Sequence, residues 1–175
     1  MRPKVLVAFA SRHQATYEIA EAIAAALADR GIAAEARPVG QVTGLDEYGA
    51  VVLGSAVYSN RWLDEARRFA KIHASELTLL PVWMFSSGPL GTPGHQIPPG
   101  EAADVPVLRR LTRAIEHRTF GGRLEMKDLH FDERAIVRTI HAPAGDSRDW
   151  AAIDQFAGDI AEELLAAHAI WVGAA

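Results

Sequence analysis

Apolar residues fall along this chain in two rhythms. Short uninterrupted runs, Val5 to Ala10 (VLVAFA), Ala50 to Leu53 (AVVL) and Leu79 to Phe85 (LLPVWMF), have the length and β-forming composition of strands buried on both faces. Between them apolar residues recur every three or four positions, which predicts amphipathic helices. Ile19, Ala20, Ile23, Ala24 and Leu27 mark one over Tyr17 to Ala28, closed by Gly31. Leu63, Ala66, Phe69, Ala70 and His73 mark a second over Trp62 to His73. Trp150, Ile153, Phe156, Ala157, Ile160, Leu164 and Leu165 mark a long one over Asp149 to Ala167. Val107 to Glu116 fits a further helix, and Ala33 to Val39 and His117 to Phe120 complete a set of five strands.

Strands alternating with helices imply βαβ units, and hence a parallel sheet with right-handed crossovers. Two stretches break the alternation. Residues 88–106 are rich in Gly and Pro and read as a loop, because periodic elements resume after them. Arg123 to Ser147 is about twice as long as an ordinary strand-to-helix connection. It reads as an insertion with structure of its own, FDERAIVRTI over Phe131 to Ile140 being a short helix or strand. We expect one domain over residues 1–175.

Composition narrows the chemistry. The chain has 49% hydrophobic and 23% charged residues, which fits a soluble globular fold and excludes intrinsic disorder. Eighteen Lys and Arg against 22 Asp and Glu give a net charge of -4, which argues against a nucleic-acid partner. There is no cysteine, so disulfides, thiol nucleophiles, zinc–thiolate sites and protein-ligated iron–sulfur clusters are excluded. Redox chemistry would need a borrowed cofactor. Residues 1–10 run straight into a strand-like segment, and the longest apolar stretch is about half of a membrane span. We therefore expect a cytoplasmic protein with no secretory leader and no transmembrane segment.

Ligands of open α/β sheets bind at the carboxyl ends of the strands. Three loops occupy such ends: Ser11–Thr16, Ser55–Trp62 and Ser86–His95. SRHQAT has no glycine, which excludes a dinucleotide turn, and no G-x-x-x-x-G-K-[ST] or G-x-S-x-G exists anywhere. Ser11 and Gly54-Ser55 stand where a phosphorylated receiver domain would need carboxylates. The seven His residues show no metal-ligand spacing, so no metal is expected. SRHQAT instead offers hydroxyls, Ser11 and Thr16, on a loop opening a helix, which suits a phosphate dianion. It equally suits a simple helix cap. SAVYSNRW offers Tyr58 and Trp62 to a planar aromatic ligand, or Trp62 packs inward. SSGPLG offers amides and hydroxyls, or an ordinary Gly-Pro turn. Together the loops point to a phosphorylated aromatic cofactor.

These residues resemble the flavodoxin superfamily, and most closely its menaquinone-dependent protoporphyrinogen dehydrogenase branch. The likeness covers nearly the whole chain. It rests on VLVAFASRHQAT, VVLGSAVYSNRW with FAKIHA, FGGRL, the insertion, and GDSRDWAAIDQFAGDIAEEL, whose Asp149-Trp150 pair is the most distinctive element. The resemblance implies an α/β three-layer sandwich with a five-stranded sheet in the order 2-1-3-4-5, and FMN as cofactor. It implies a phosphate site at Ser11, Arg12, His13, Gln14, Ala15 and Thr16. Ser55, Ala56, Val57, Tyr58, Ser59 and Asn60 would flank the flavin ring, with Tyr58 stacking. Ser86, Ser87, Gly88 and Gly91 would approach its polar edge, and Gly121, Gly122 and Arg123 would close the pocket. One departure stands out: the family's phosphate loop carries a glycine where this chain has Gln14.

The resemblance implies an oxidoreductase or electron carrier reducing a quinone, or oxidising protoporphyrinogen with a quinone acceptor. FMN does the chemistry, no side chain is assigned a catalytic role, and His95 or Tyr58 could donate a proton. It leaves peripheral membrane contact and a homodimer open. The contrasting reading is a module that keeps the fold and has lost FMN. Gln14 motivates it, as does the apolar tail Ala169-Ile170-Trp171-Val172, which could dock on a partner or fold back.

Overall fold

The computed structural model describes residues 4–88, 101–124 and 145–173, with side chains through residue 167. Five strands form a parallel sheet in the order β2-β1-β3-β5-β6: β1 (Lys4–Ala10), β2 (Ala34–Pro38), β3 (Tyr48–Tyr58), β5 (Val82–Ser87) and β6 (Glu116–Phe120). A short strand β4 (Arg61–Trp62) turns back antiparallel on the end of β3. Helices α1 (Ala15–Asp29) and α5 (Trp150–Gly173) cover one face. Helices α2 (Asp64–Ile72), α3 (Ala74–Leu77) and α4 (Val105–Thr112) cover the other. This is the expected α/β architecture with helices on both sides of the sheet.

The alternation inside VLVAFA explains the two layers. Val5, Val7 and Phe9 enter the core shared with Ile19, Ile23, Leu27, Phe156 and Ile160, while Leu6, Ala8 and Ala10 enter the core shared with Trp62, Phe69 and Leu108. Each large side chain buried this way contributes roughly 1.5–3 kcal/mol. The edge strand β2 is only half-buried along its length, and its Glu35 and Arg37 place charge on an edge that would otherwise invite pairing. Tyr48 and Lys4 hold the Glu35 carboxylate at about 2, well below its ordinary range.

Boundaries shift from expectation by a few residues, and at β3, α2, β5 and α4 the local reason is visible. Strand β3 does not stop at Leu53 but runs to Tyr58. Gly54 stays in the sheet because the Phe85 ring lies flat on it, and a Cβ there would sit 2.1 Å from that ring. Ser55 satisfies itself in place, donating to the Ala56 carbonyl and accepting from the Leu63 amide. Ser59 and Asn60 then turn the chain with φ of 48° and 58°, the two positive values of a type I′ hairpin. Trp62 consequently lies on a strand, and α2 begins at Asp64.

The run expected from Leu79 begins at Val82 instead, after Pro81, and Leu79 is exposed. Arg113, in the left-handed conformation, ends α4 at Thr112 and releases Glu116 into β6. At α1, Gln14 and not Ser11 or Thr16 occupies the capping position. The region expected to be an insertion is framed by strands β7 (Arg123–Leu124) and β8 (Gly145–Asp146), which pair antiparallel. The segment Phe131 to Ile140 lies outside the described residues, as do Gly91 and His95. Helix α5 continues beyond Ala167 to Gly173, and the side chains of the tail, including Trp171, are likewise outside the description. No helix among the described residues is long and apolar enough to cross a membrane.

Candidate functional site

The carboxyl ends of β1, β3, β5 and β6 open toward one edge of the sheet, where the sequence-predicted residues gather. After β1 the chain makes a tight turn, with the Ala15 amide donating to the His13 carbonyl and the Glu18 amide to that of Gln14. Gln14 takes φ 57°, the left-handed region that costs a non-glycine residue roughly 1–2 kcal/mol. That is the physical reason a glycine suits the position, and the Gln14 residue itself is exposed. No side chain caps α1. With the Ala15 and Glu18 amides already donated, the amides of Thr16 and Tyr17 are left to an outside acceptor. The capping alternative for Ser11 and Thr16 does not hold. Beside these amides the Ser11 hydroxyl is shielded from solvent and has no hydrogen-bond partner among the described residues. A buried, unsatisfied hydroxyl costs about 1–3 kcal/mol unless something accepts or donates to it. A phosphate oxygen fits that place.

One turn into α1, Glu18 anchors a cluster of charges. Arg148 reaches it at 2.5 Å and Arg123 at 3.1 Å, while Arg148 also grips Asp146 at 2.6 Å. The Arg148 side chain is 3% exposed, and its guanidinium covers the Trp150 ring at 4.5 Å. Hydrogen bonding to Arg148 holds the Asp146 carboxylate at about 2, and the same bond raises the Arg148 guanidinium further above its usual range. Asp149 caps α5 by accepting from the Ala152 amide at 3.0 Å. The Asp149-Trp150 pair thus has two structural tasks, a cap and a platform.

At the hairpin tip Tyr58, Ser59 and Asn60 are exposed, whereas Ser55 and Ala56 face inward. The Arg12 guanidinium lies 4.9 Å from the Tyr58 ring centroid and the His13 ring 6.3 Å away, so the phosphate loop and the hairpin meet. A cleft of about 250 Å³ beside them is lined by Arg12, Leu63, Asp64, Glu65 and Arg68. Trp62 turns inward, 2% exposed, and its Nε1 donates to the Ser86 hydroxyl at 2.7 Å. Its inward placement removes it as a ring for stacking a ligand.

Ser86 is also 2.8 Å from His117 Nε2, and His117 Nδ1 is 3.4 Å from Glu101. Burial pushes the His117 imidazole below its ordinary range. The Ser86 hydroxyl is thereby committed to the protein interior, leaving the backbone of Ser87 and Gly88 at the edge. There the Gly88 amide donates to the Phe120 carbonyl, and a Cβ on Gly122 would approach the Gly88 Cα to 3.1 Å. A Cβ on Gly121 would come within 2.1 Å of the Ser147 carbonyl, whose residue donates in turn to Gly122. Three backbone segments therefore close on one another without side chains between them. The residues that escaped sequence reasoning are Glu18, Asp146, Arg148 and His117. Only the arginine beside Asp149-Trp150 carried a signal, as a basic residue next to an aromatic.

A family model for the flavodoxin domain matches residues 6–150. The chain belongs to that family. No curated relative matches it in sequence. Among solved structures, this flavodoxin domain is similar to a flavodoxin from the domain Archaea (TM-score 0.60, 17% identity, 92% of this chain and 98% of that one). It is likewise similar to Flavodoxin 2 from Bacillus cereus (TM-score 0.61, 20% identity, 91% and 99%). A third likeness is to rubredoxin oxygen:oxidoreductase from the anaerobe Desulfovibrio gigas (TM-score 0.65, 13% identity), where 93% of this chain spans only 36% of that protein. These identities show the fold alone.

Proposed function

We propose that residues 1–175 act as one FMN-binding electron-transfer domain of the flavodoxin type. The observation that carries the reading is the buried, unpartnered Ser11 hydroxyl beside the uncapped start of α1. A phosphate dianion would satisfy both at once, accepting from the amides and from Ser11. Ser11 to Thr16 would hold the phosphate, and the exposed Tyr58 would cover one face of the ring. The backbone of Ser87 and Gly88, with Gly121, Gly122 and Arg123, would border its polar edge. Bound there, FMN supplies reversible one- or two-electron transfer. The protein's part is to orient it, exclude water and set its potential.

The finer reading, a quinone acceptor or a protoporphyrinogen substrate, is supported by the resemblance of the Asp149-Trp150 pair and the long insertion. Assay of the reduced, FMN-loaded protein against quinones and protoporphyrinogen tests it.

The primary test is the visible spectrum of the purified chain and its titration with FMN. We expect flavin bands at close to one per chain. Ser11→Ala should weaken FMN by roughly tenfold or more, the worth of a hydrogen bond to a charged group. A colourless chain that FMN cannot reconstitute would sink the proposal and leave the FMN-free module.

A further inference from the structure

Charge is distributed unequally between the two helical layers. Helix α1 carries Glu18, Glu21 and Asp29, and α5 carries Asp154, Asp159, Glu162 and Glu163; neither holds a Lys or Arg. Across the sheet, α2 carries Arg67, Arg68 and Lys71 against Asp64 and Glu65, and α4 carries Arg109 and Arg110 with no carboxylate. The helices' own residues thus lean acidic on the α1/α5 side and basic on the α2/α4 side. From outside the helices Arg148 and Arg123 pair with Glu18, Arg30 with Asp154, Arg118 with Asp159, and Glu101 with Arg109.

The basic side reaches the sheet edge at the hairpin. Arg12, Arg61 and Arg68 are all exposed there. Arg61 is the register partner of Tyr58, Arg12 stacks on the Tyr58 ring, and Arg12 and Arg68 line the same cleft. Neither Arg61 nor Arg68 makes an ion pair among the described residues. The nearby carboxylates are largely spent: Asp64 pairs with Arg67, and Asp104 accepts from the Trp62 amide and pairs with Arg67. Of the carboxylates lining the cleft, Asp64 is taken up by Arg67, which leaves Glu65 facing Arg12 and Arg68.

Such an arrangement costs the fold some self-repulsion, and Arg61 and Arg68 return no ion pair among the described residues. It does produce a positive field at the exposed face of Tyr58. We infer that the hairpin and the start of α2 form a docking surface for an acidic protein face. Its carboxylates would meet Arg61 and Arg68, bringing the partner against Tyr58. This goes beyond the cofactor assignment and does not need it. Guanidiniums suit the task because they pair with carboxylates bidentately and are weakly hydrated.

The test uses the full chain and R61Q/R68Q, which leaves Arg12 in the proposed phosphate loop untouched. Immobilised poly-L-glutamate should retain the wild-type chain at low salt, with or without FMN, despite its negative net charge. R61Q/R68Q should pass through unretained, with an unchanged far-ultraviolet circular dichroism spectrum. In the FMN-loaded, reduced protein, oxidation by ferricyanide should slow as salt rises, and oxidation by hexaammineruthenium(III) should not. The double substitution should slow ferricyanide roughly tenfold at low salt. The inference is overturned if the wild type is not retained, or if R61Q/R68Q is retained equally. Ferricyanide oxidation that quickens with salt overturns it too. So does preference for phosphatidylglycerol vesicles over polyglutamate, which would assign the rim to a membrane. The polyglutamate result does not depend on flavin, so failure to bind FMN and failure of the docking surface are separately visible.

Discussion

Arginine is used in opposite ways on the two sides of the candidate site. The Arg148 side chain, paired to Glu18 in α1, is almost wholly buried and its one charge is answered by two carboxylates, Asp146 and Glu18, with Trp150 under the guanidinium plane. Arg61 and Arg68, at the hairpin and α2, are exposed and make no ion pair among the described residues. A matched buried charge has little field outside its cluster; what it fixes is geometry. An unmatched exposed charge fixes no geometry, and what it projects is field. The difference teaches that the α1 side of the edge is built to hold something still, while the hairpin side is built to attract something mobile.

The contrast can be broken most sharply at Arg148. Arg148→Ala removes one partner from a cluster in which Glu18 and Asp146 retain some solvent contact, so the loss is smaller than for a fully buried pair. We expect about 2 kcal/mol of destabilisation by chemical denaturation, part of it lost packing on Trp150. A loss under 0.5 kcal/mol would mean that the cluster is ornamental.

Acid probes the same cluster. The Asp146 carboxyl is lowered to about 2 in the folded chain and is ordinary in the unfolded one. Its contribution is therefore present above about pH 4 and lost as pH falls toward 2. Allowing for solvent screening at a partly exposed group, this is about 1 kcal/mol, and it should vanish from the pH–stability curve of Arg148→Ala. The hairpin side responds to backbone chemistry instead. Replacing Ser59-Asn60 by Asn-Gly supplies the preferred type I′ pair and should stabilise the chain by about 1 kcal/mol in thermal unfolding.

Much of the fold was legible because its signals are local. VLVAFA and the three-four periodicity of α1 and α5 need no distant partner to be recognised. The hairpin was not legible. Gly54 reads locally as the end of a strand, yet its role is to receive the Phe85 ring from the neighbouring strand, and only the folded sheet brings them together. Ser59-Asn60 forms the turn without the Asn-Gly that ordinarily announces it. The α4 boundary failed for a similar reason, since Arg113 ends the helix in a conformation usually read from glycine.

The candidate site divides in the same way. Ser11, Tyr58 and Ser87 could be placed at one edge from loop position alone, and Gly122 from the family resemblance. Glu18, Asp146 and Arg148 are 128 and 130 residues apart at their widest, a separation across which no periodicity operates. Gln14 lies between these cases: the absence of glycine was visible in the sequence, and the structure supplies its meaning as a left-handed residue.

The paired strands β7 and β8 carry a different kind of consequence. Leu124 and Gly145 stand opposite each other in register, so residues 124 and 145 lie one strand spacing apart. The segment joining those two points is closed at its base by that pairing, as a cassette is by its socket. Its length and composition can drift over evolutionary time, or be exchanged at the bench for a short reverse turn, at a loop-closure difference on the order of 1 kcal/mol. The sheet edge that gathers Ser11, Tyr58 and Gly122 would then be a fixed chassis, and the cassette the part free to change what approaches it.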